Sequence, residues 1–306
     1  MEDDYIPKSM KPPFSYYGGK QRMANKIIPY IPKHTVYAEP FCGGATLLFR
    51  KPWPDVNGKG YYREYINDSN ELIYNFFKAL TNQGDELVER LSTTPFSEKI
   101  HKEYKHLELI EDDLERAIGF FINIQQSFTN QLNGGWARSV YGDNQQAKWA
   151  KTRNLFPYIK RMQSVGLACT DALKFIKQYD SPQTFFYCDP PYPNTDQRHY
   201  RGYNENNLKD LISVLSNANS SSIVSCYNQD ELFDPSTWKK ETFKSSCSAM
   251  GGASTDRTKK YKSIGRDREE VIYIKKSTPP RKEIQALYDS GKFDCFLDKG
   301  YANDSE

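Results

Sequence analysis

The tetrapeptide Asp189-Pro190-Pro191-Tyr192 combines the residue types of this sequence best suited to chemistry. It follows the apolar run at 183–188, which predicts a buried strand, and ligands of open α/β sheets bind beyond the carboxyl ends of strands. Two consecutive prolines restrict the backbone, so the Asp189 carboxylate and a fixed carbonyl can accept both hydrogens of an exocyclic amino group. The nitrogen lone pair then points at an electrophile, and the ring of Tyr192 can stack on a base. A strand-ending turn made of ordinary turn residues is the alternative interpretation.

Two earlier segments are suited to holding a small ligand. The glycine turn at 41–45 follows a short apolar strand, and the helix after it offers free backbone N–H groups. Asp68 ends the next strand, where acids bind ribose hydroxyls in dinucleotide folds. The turn has neither phosphate-loop nor GxGxxG spacing, so ATP is not favoured. Lys20, beside aromatic residues at a helix start, can meet an anionic group. A tight turn with a helix-capping Asp68, and a plain turn at Lys20, are the structural alternatives.

These segments need a sheet that brings strand ends together. The sequence predicts strands at 36–40, 61–66, 165–169, 183–188, 222–227, 239–248 and 269–276. Helices at about 20–30, 46–49, 69–80 and 205–219 are interspersed, which predicts a doubly wound α/β fold. Residues 81–160 are polar and helical in pattern, so we interpret them as an insertion. Residues 281–306 are expected to form a helix and a solvated tail.

Composition narrows the class of protein. The 306 residues carry 42 Lys and Arg against 39 Asp and Glu, a net charge of +3, which by itself does not predict nucleic-acid binding. A mean hydropathy of −0.78 and the lack of a long apolar run argue against a membrane span. The six cysteines are scattered without a metal-ligand pattern, and the first residues do not resemble a secretory signal. We therefore expect a cytoplasmic protein with free thiols and no metal.

The order of the motifs resembles one enzyme family. Ser15 to Lys20, then Glu39-Pro-Phe-Cys-Gly-Gly-Ala45, then Ile66-Asn-Asp68 and finally Asp189-Pro-Pro-Tyr192 are similar to the Dam-like, alpha-group DNA adenine-N6 methyltransferases. The resemblance spans roughly residues 14–275. It departs at Ala45, where many relatives have glycine, and we expect tolerance because alanine adds only a methyl group.

The resemblance implies a Rossmann-like methyltransferase core with a mixed, seven-stranded type of sheet, and S-adenosylmethionine as cofactor. It assigns residues 1–80 and 161–280 to the catalytic domain and 81–160 to a target-recognition insertion. It implies catalytic roles for Asp189, Pro190, Pro191 and Tyr192. The implied cofactor contacts are Tyr16, Lys20, Phe41, Gly43, Asp68, Asp171 and Asp189.

Basic and amide side chains are candidates for DNA contacts. Segments 146–163 and 257–268 are strongly basic, which suits phosphates, and solvated loops are the alternative. The loop at 130–141 is the candidate for base reading, since Asn pairs with adenine and Arg with guanine. The candidate DNA-binding residues are Asn130, Asn133, Arg138, Lys148, Lys151, Arg153, Arg198, Lys259 and Lys260.

The resemblance therefore implies methylation of the N6 amino group of a flipped adenine in double-stranded DNA, which agrees with the chemistry expected of Asp189-Pro-Pro-Tyr192. Cytosine-N4 methylation is the nearest alternative, disfavoured by Asp189 where that group commonly has Ser. An RNA adenine methyltransferase and a catalytically silent DNA-binding protein are the others. We expect a monomer or a weak dimer on DNA, and a cognate restriction endonuclease on another chain is a possible partner.

Overall fold

The fold is built on one mixed seven-stranded sheet. The computed structural model describes residues 9–16, 20–52, 62–128, 130–138, 144–192, 203–246 and 267–275. The strands are β1 (Val36–Glu39), β2 (Arg63–Asn67), β3 (Val165–Ala168), β4 (Thr184–Cys188), β5 (Ser221–Cys226), β6 (Trp238–Ser246) and β7 (Asp267–Lys275). Their order in space is β3-β2-β1-β4-β5-β7-β6. The first five run parallel and β7 lies antiparallel between β5 and β6. The predicted Rossmann-like α/β fold is confirmed.

Helices cover both faces of this sheet. They are α1 (Ala24–Ile27), α2 (Thr46–Arg50), α3 (Glu71–Asn82), α4 (Gly84–Thr93), α5 (Glu98–Glu103), α6 (Asp113–Gln125), α7 (Gln145–Thr152), α8 (Phe156–Met162), α9 (Ala172–Tyr179) and α10 (Glu205–Asn217). Short 3-10 helices lie at Ile28–Tyr30, Leu107–Leu109 and Asp230–Leu232. Along β4, Phe185 and Tyr187 enter one hydrophobic cluster while Phe186 and Cys188 enter the other. This alternation, the period of an extended strand, lets one strand serve two layers.

The central segment packs directly on the sheet-covering helices. In α6, a run of residues from Ala117 to Gln125 is buried, and the helix lies against α3. Aromatic rings join the two: the Phe14 centroid lies 5.1 Å from those of both Phe76 and Phe120. The segment is mainly helical, as expected. The expected boundaries at 80/81 and 160/161 fall inside α3 and α8, and the division of the chain into two domains stays a prediction.

One basic residue of the segment 146–163 is buried in an ion pair and is not available to a phosphate. Arg161 is only 2% exposed, and its Nη1 lies 2.6 Å from Oε2 of Glu64 in β2. Lys51 pairs with the other carboxylate oxygen of Glu64. The inclusion of Arg161 in a phosphate-contacting run is therefore wrong, because a guanidinium buried against a carboxylate cannot reach DNA.

Within the described ranges, none of the helices is long and apolar enough to cross a membrane. The same ranges contain no cluster of His, Cys, Asp or Glu arranged for a metal ion. The cysteines that the structure describes are all free; Cys42, Cys188 and Cys226 are buried, whereas Cys169 is exposed.

Candidate active site

The carboxyl ends of β1, β2 and β3 are tied together by one buried amide. Asn67 donates from Nδ2 to the carbonyls of Pro40, at 2.9 Å, and Thr170, at 3.0 Å. Its Oδ1 accepts the backbone N–H of Thr170 at 3.0 Å. Asn67 lies within the motif Ile66-Asn-Asp68, but no role was predicted for it. The signal was its position directly before Asp68 at a strand end, and its effect is to fix the segments that carry the neighbouring site residues.

Asp68 and the glycine turn form one unit. Its Oδ2 accepts the backbone N–H of Gly43 at 2.9 Å, and its Oδ1 accepts that of Asn70, also at 2.9 Å. Burial raises the pKa of Asp68 to about 6, although these two hydrogen bonds lower it. Each carboxylate oxygen keeps a second lone pair, so the acid can also accept hydroxyl donors from a ligand. Sequence reasoning predicted that Asp68 and Gly43 belong to one site, and the structure brings them together.

Gly43 and Ala45 both occupy left-handed backbone conformations. Gly43 has φ +49°, and a Cβ built there would lie 2.9 Å from Cδ1 of Tyr16. Tyr16 is itself held by a 3.2 Å hydrogen bond from the Asn70 amide to its hydroxyl. Ala45 has φ +53°, a region that costs a residue with a Cβ roughly 1–2 kcal/mol. The methyl group of Ala45 is accommodated, but the backbone conformation supplies a physical reason for glycine at this position.

Glu39 is a buried acid whose role sequence reasoning missed. Its Oε1 accepts 2.7 Å hydrogen bonds from the Tyr37 hydroxyl and from the backbone N–H of Leu48 in α2. Burial raises the pKa of Glu39 to about 7. An acid that directly follows an apolar strand and precedes a glycine turn was the available signal. Its hydrogen bonds fix α2 against the end of β1.

Lys20, Asp189 and Tyr192 form a compact cluster at the end of β4. The Lys20 ammonium lies 3.1 Å from Asp189 Oδ1, and it also donates to the Tyr192 hydroxyl. The Tyr192 hydroxyl in turn donates to Asp189 Oδ1 at 3.2 Å. The structure brings Lys20 to the two principal residues of the catalytic motif, and its expected contact with the cofactor stays a prediction. The Tyr192 ring lies beside Tyr227, at 4.5 Å between centroids.

The electrostatics of this cluster are those of a buried ion pair. Burial alone would lower the pKa of Lys20, but the carboxylate of Asp189 raises it above its usual value. Burial raises the pKa of Asp189, and the Lys20 ammonium partly opposes that shift. Lys20 is 5% exposed and Asp189 19% exposed, so solvent screens the pair only weakly.

Glu270, on β7, is a second acid in this cluster that sequence reasoning missed. Its Oε2 lies 3.7 Å from the Lys20 ammonium. Within the described ranges, that oxygen is buried without a hydrogen-bond partner. No local motif marks Glu270, because only the antiparallel placement of β7 beside β5 brings it near Lys20.

The remaining candidate cofactor residues lie nearby with less defined roles. Phe41 is half-buried and packs edge-on against Tyr203, at 6.2 Å between centroids. Asp171 caps α9 by accepting the backbone N–H of Lys174 at 2.9 Å. Pro190 is buried, and Pro191 is half-buried. The cap on α9 accounts for Asp171 structurally, and its contact with a cofactor stays a prediction.

The candidate DNA-binding residues fall into four groups. Arg138 and Lys151 are exposed. Asn130 accepts a 2.6 Å hydrogen bond from Lys148, and Asn133 is tied through its backbone N–H to Asn123. Arg153 donates to the carbonyls of Ser92 and Thr94, so its guanidinium caps the end of α4. Arg198, Lys259 and Lys260 lie outside the described residues.

The strand-end residues suit a ligand that carries hydroxyl groups, such as those of a ribose. Asp68 offers lone pairs for hydroxyls beside a glycine turn that has no side chain at Gly43. The buried Tyr187 hydroxyl, on the strand that ends at Asp189, has no hydrogen-bond partner among the described residues. A buried orphan hydroxyl is costly, so it is best explained by a polar group that binds there.

Several known proteins are similar to this chain in sequence. The type II methyltransferase M.MjaIII of Methanocaldococcus jannaschii is 26% identical over 60% of this chain and 69% of its own. The StsI modification methylase of Streptococcus sanguinis is 23% identical over 71% of this chain and 35% of its own. The DNA N-6-adenine-methyltransferase of Escherichia phage P1 is 24% identical over 67% and 28%. The chain thus spans about a third of the length of the last two relatives.

The family of this chain is shown by its sequence and not by a similar solved structure. A solved rRNA methyltransferase, AviRa of Streptomyces viridochromogenes, is 12% identical over 90% of this chain and 94% of its own, at a TM-score of 0.37. The fold assignment stands on the strand order and not on that similarity. A sequence model of one family matches residues 16–234. The chain belongs to the D12 class N6 adenine-specific DNA methyltransferases.

Proposed function

We propose that this protein transfers a methyl group from S-adenosylmethionine to the N6 amino group of an adenine flipped out of double-stranded DNA. The observation that carries the proposal is the Asp189 carboxylate at the end of β4, held against Tyr192 and Lys20. The adjacent strand β1 leads into the Gly43 turn bound by Asp68. The proposed acceptor of the amino group and the proposed ribose-binding residues thus lie at the same edge of one sheet.

The cofactor is assigned to the strand-end residues. Asp68 would accept hydrogen bonds from the ribose hydroxyls, and Gly43 would let the backbone approach the ligand closely. Tyr16 lies against Gly43 and would form one wall of this pocket. Phe41 and Asp171 are the candidates for the adenine end. S-adenosylmethionine supplies a methyl group on a positively charged sulfonium, so a site for it needs no metal or covalent nucleophile.

Asp189 and the Pro190 carbonyl would bind the two hydrogens of the target amino group. This arrangement withdraws the nitrogen lone pair from the ring and directs it at the electrophile. Tyr192 would stack on the extruded base, an interaction worth about 1–3 kcal/mol. Holding the reacting groups in line at roughly 3–3.5 Å supplies much of the rate enhancement.

DNA contacts are assigned to the central segment. Arg138 and Lys151 are exposed and would contact phosphates or bases. Asn130 and Lys148 are bonded to each other, and DNA would compete for that contact. We infer target recognition by residues 81–160 and action in the cytoplasm as a monomer or a weak dimer. A restriction endonuclease on a separate chain is a further proposed partner.

The test is transfer of labelled methyl from S-adenosylmethionine to unmethylated duplex DNA, followed by nucleoside analysis of the product. Wild type should form N6-methyladenine, and Asp189→Ala should not. Asp210→Ala is the control, because Asp210 is an exposed acid of α10. Formation of N4-methylcytosine would reassign the substrate. Absence of transfer to DNA would contradict the proposal, and structured RNA would then be the substrate to try.

A further inference from the structure

The Lys20 ammonium lies near acceptors of Asp189, Tyr192 and Glu270, and it is not equally close to all of them. Lys20 pairs with Asp189 Oδ1 at 3.1 Å and donates to the Tyr192 hydroxyl. The third acceptor is Oε2 of Glu270, at 3.7 Å, beyond hydrogen-bond distance. The ammonium therefore lies on the Asp189 side of a gap between two carboxylates.

Asp189 Oδ1 is fully engaged in this arrangement. It faces the Lys20 ammonium and also accepts the Tyr192 hydroxyl at 3.2 Å. A carboxylate oxygen has two lone pairs, so both on this atom have donors. An exocyclic amino group that uses this oxygen must displace one of them. Lys20 is the donor that imitates the substrate most closely, because its nitrogen is also an N–H donor.

Glu270 differs from Asp189 in how its carboxylate oxygens are occupied. Its Oε2 is buried and has no hydrogen-bond partner among the residues that the structure describes. A buried carboxylate oxygen without a donor is unfavourable, and a partner that moves onto it relieves the cost. A shift of roughly 1 Å would bring the Lys20 ammonium from 3.7 Å to the usual length of a charged hydrogen bond.

We propose that Glu270 is a positioning residue that receives the Lys20 ammonium when the target amino group binds Asp189. The inference deepens the proposed function and rests on it. Lys20 remains paired with a carboxylate before and after the substrate binds. The buried ammonium is therefore still compensated when Asp189 accepts hydrogen bonds from the substrate. Without Glu270, the Lys20 ammonium would lack this second carboxylate as a partner. It would then remain paired with Asp189 and compete with the amino group of the substrate.

The experiment compares Glu270→Gln with Glu241→Gln, a control on the neighbouring strand β6 whose carboxylate pairs with Lys239. Glu270→Gln should lower kcat about tenfold or more, while calorimetric affinity for S-adenosylmethionine and the urea midpoint stay unchanged. The control should change neither. If Glu270 acts through Lys20, the same substitution in a Lys20→Met background should produce no further fall in kcat.

Two results would overturn the inference: an unchanged kcat in Glu270→Gln, or an equal fall in the presence and absence of Lys20. An equal fall would mean that Glu270 acts independently of the ammonium.

A readout without turnover separates this inference from the proposed function. In 15N-lysine-labelled Asp189→Asn protein, where the ammonium has lost the Asp189 carboxylate, the Lys20 ammonium protons should exchange faster when Glu270→Gln is added and should keep their rate when Glu241→Gln is added. If wild type does not methylate DNA, the proposed function fails. The exchange rate then decides whether Glu270 holds the ammonium, and an unchanged rate overturns the inference by itself.

Discussion

Oδ2 of Asp68 accepts a 2.9 Å hydrogen bond from the backbone N–H of Gly43, which joins the acid after β2 to the turn after β1. The other oxygen, Oδ1, accepts the N–H of Asn70. The carboxylate thus shapes the turn against which the cofactor is proposed to lie. Asp68 was interpreted either as a residue that caps a helix beside a tight turn or as a residue that binds the cofactor. The two roles are compatible, because the oxygens that hold the turn keep spare lone pairs.

Substitution of Asp68 by Asn should weaken both the fold and cofactor binding. The amide keeps one acceptor oxygen and places an NH₂ against a backbone N–H, so one buried donor loses its partner at a cost of about 1–3 kcal/mol. Affinity for S-adenosylmethionine, measured by calorimetry, should fall about tenfold or more. Unchanged affinity would remove Asp68 from the cofactor site.

Asp171→Asn is the matched comparison. Asp171 accepts one N–H as the cap of α9, and Asn caps helices about equally well. The free energy of unfolding should stay within about 0.5 kcal/mol of wild type. A loss of affinity for S-adenosylmethionine in this variant would assign the predicted cofactor contact to Asp171, whereas equal affinity would leave the residue only its capping role.

Gly43→Ala should be costly for two separate reasons. The backbone has φ +49°, and the new methyl group would lie 2.9 Å from the Tyr16 ring. We expect a loss of at least about 1 kcal/mol in unfolding free energy, together with weaker cofactor binding. Gly135→Ala is the control, because a Cβ there meets no atom within 4 Å. Equal urea midpoints for the two variants would contradict this explanation.

Glu39 should make stability depend on pH. Burial raises its pKa from 4.5 to about 7, so the folded protein keeps a proton that the unfolded chain has released in this window. The unfolded state binds fewer protons there, and the stability contributed by Glu39 therefore falls as pH rises from about 4.5 to 7. Subtracting the unfolding free energies of Glu39→Gln from those of wild type, by urea denaturation at each pH, should isolate this slope. The difference should change by about 3 kcal/mol at most.

His34 should make the unfolding free energy depend on pH in the opposite direction. Burial lowers its pKa from 6.5 to about 4, so the unfolded chain binds more protons in the intervening range. Its contribution to the unfolding free energy should therefore rise with pH between about 4 and 6.5. The same subtraction with His34→Gln should give a slope opposite to that of Glu39→Gln. Slopes of equal sign would contradict the burial of one of the two groups.

Substitutions of Arg161 and Lys151 should affect different properties, the first the stability of the fold and the second the binding of DNA. Arg161→Met leaves the Glu64 carboxylate with a single cationic partner, and we expect a loss of about 3 kcal/mol in unfolding free energy. Lys151→Met alters an exposed side chain of α7 and should change stability by less than about 0.5 kcal/mol. If Lys151 contacts a phosphate, its substitution should weaken binding to duplex DNA at low salt and reduce the salt dependence by about one charge. Comparable loss of stability in both variants would refute this division.

Sequence reasoning succeeded where the information was local. The apolar run before Asp189 predicted β4, and the glycines after an apolar strand predicted the turn between β1 and α2. The order of the motifs predicted the family, because each motif consists of consecutive residues. Reasoning from charge density failed at Arg161, since a basic residue in a basic run has the same letter whether it faces solvent or Glu64.

The sequence by itself determined the fold class, the family and the residues at the strand ends. These follow from periodicity and from short motifs, whose residues act within one turn or one strand. Only the tertiary structure decided that Lys20 lies on Asp189, that Glu270 lies within 3.7 Å of the same ammonium, and that Asn67 ties three strand ends together. The physical reason is that parallel strands distant in the chain end at one edge, so these partners are brought together by sheet order and not by sequence spacing.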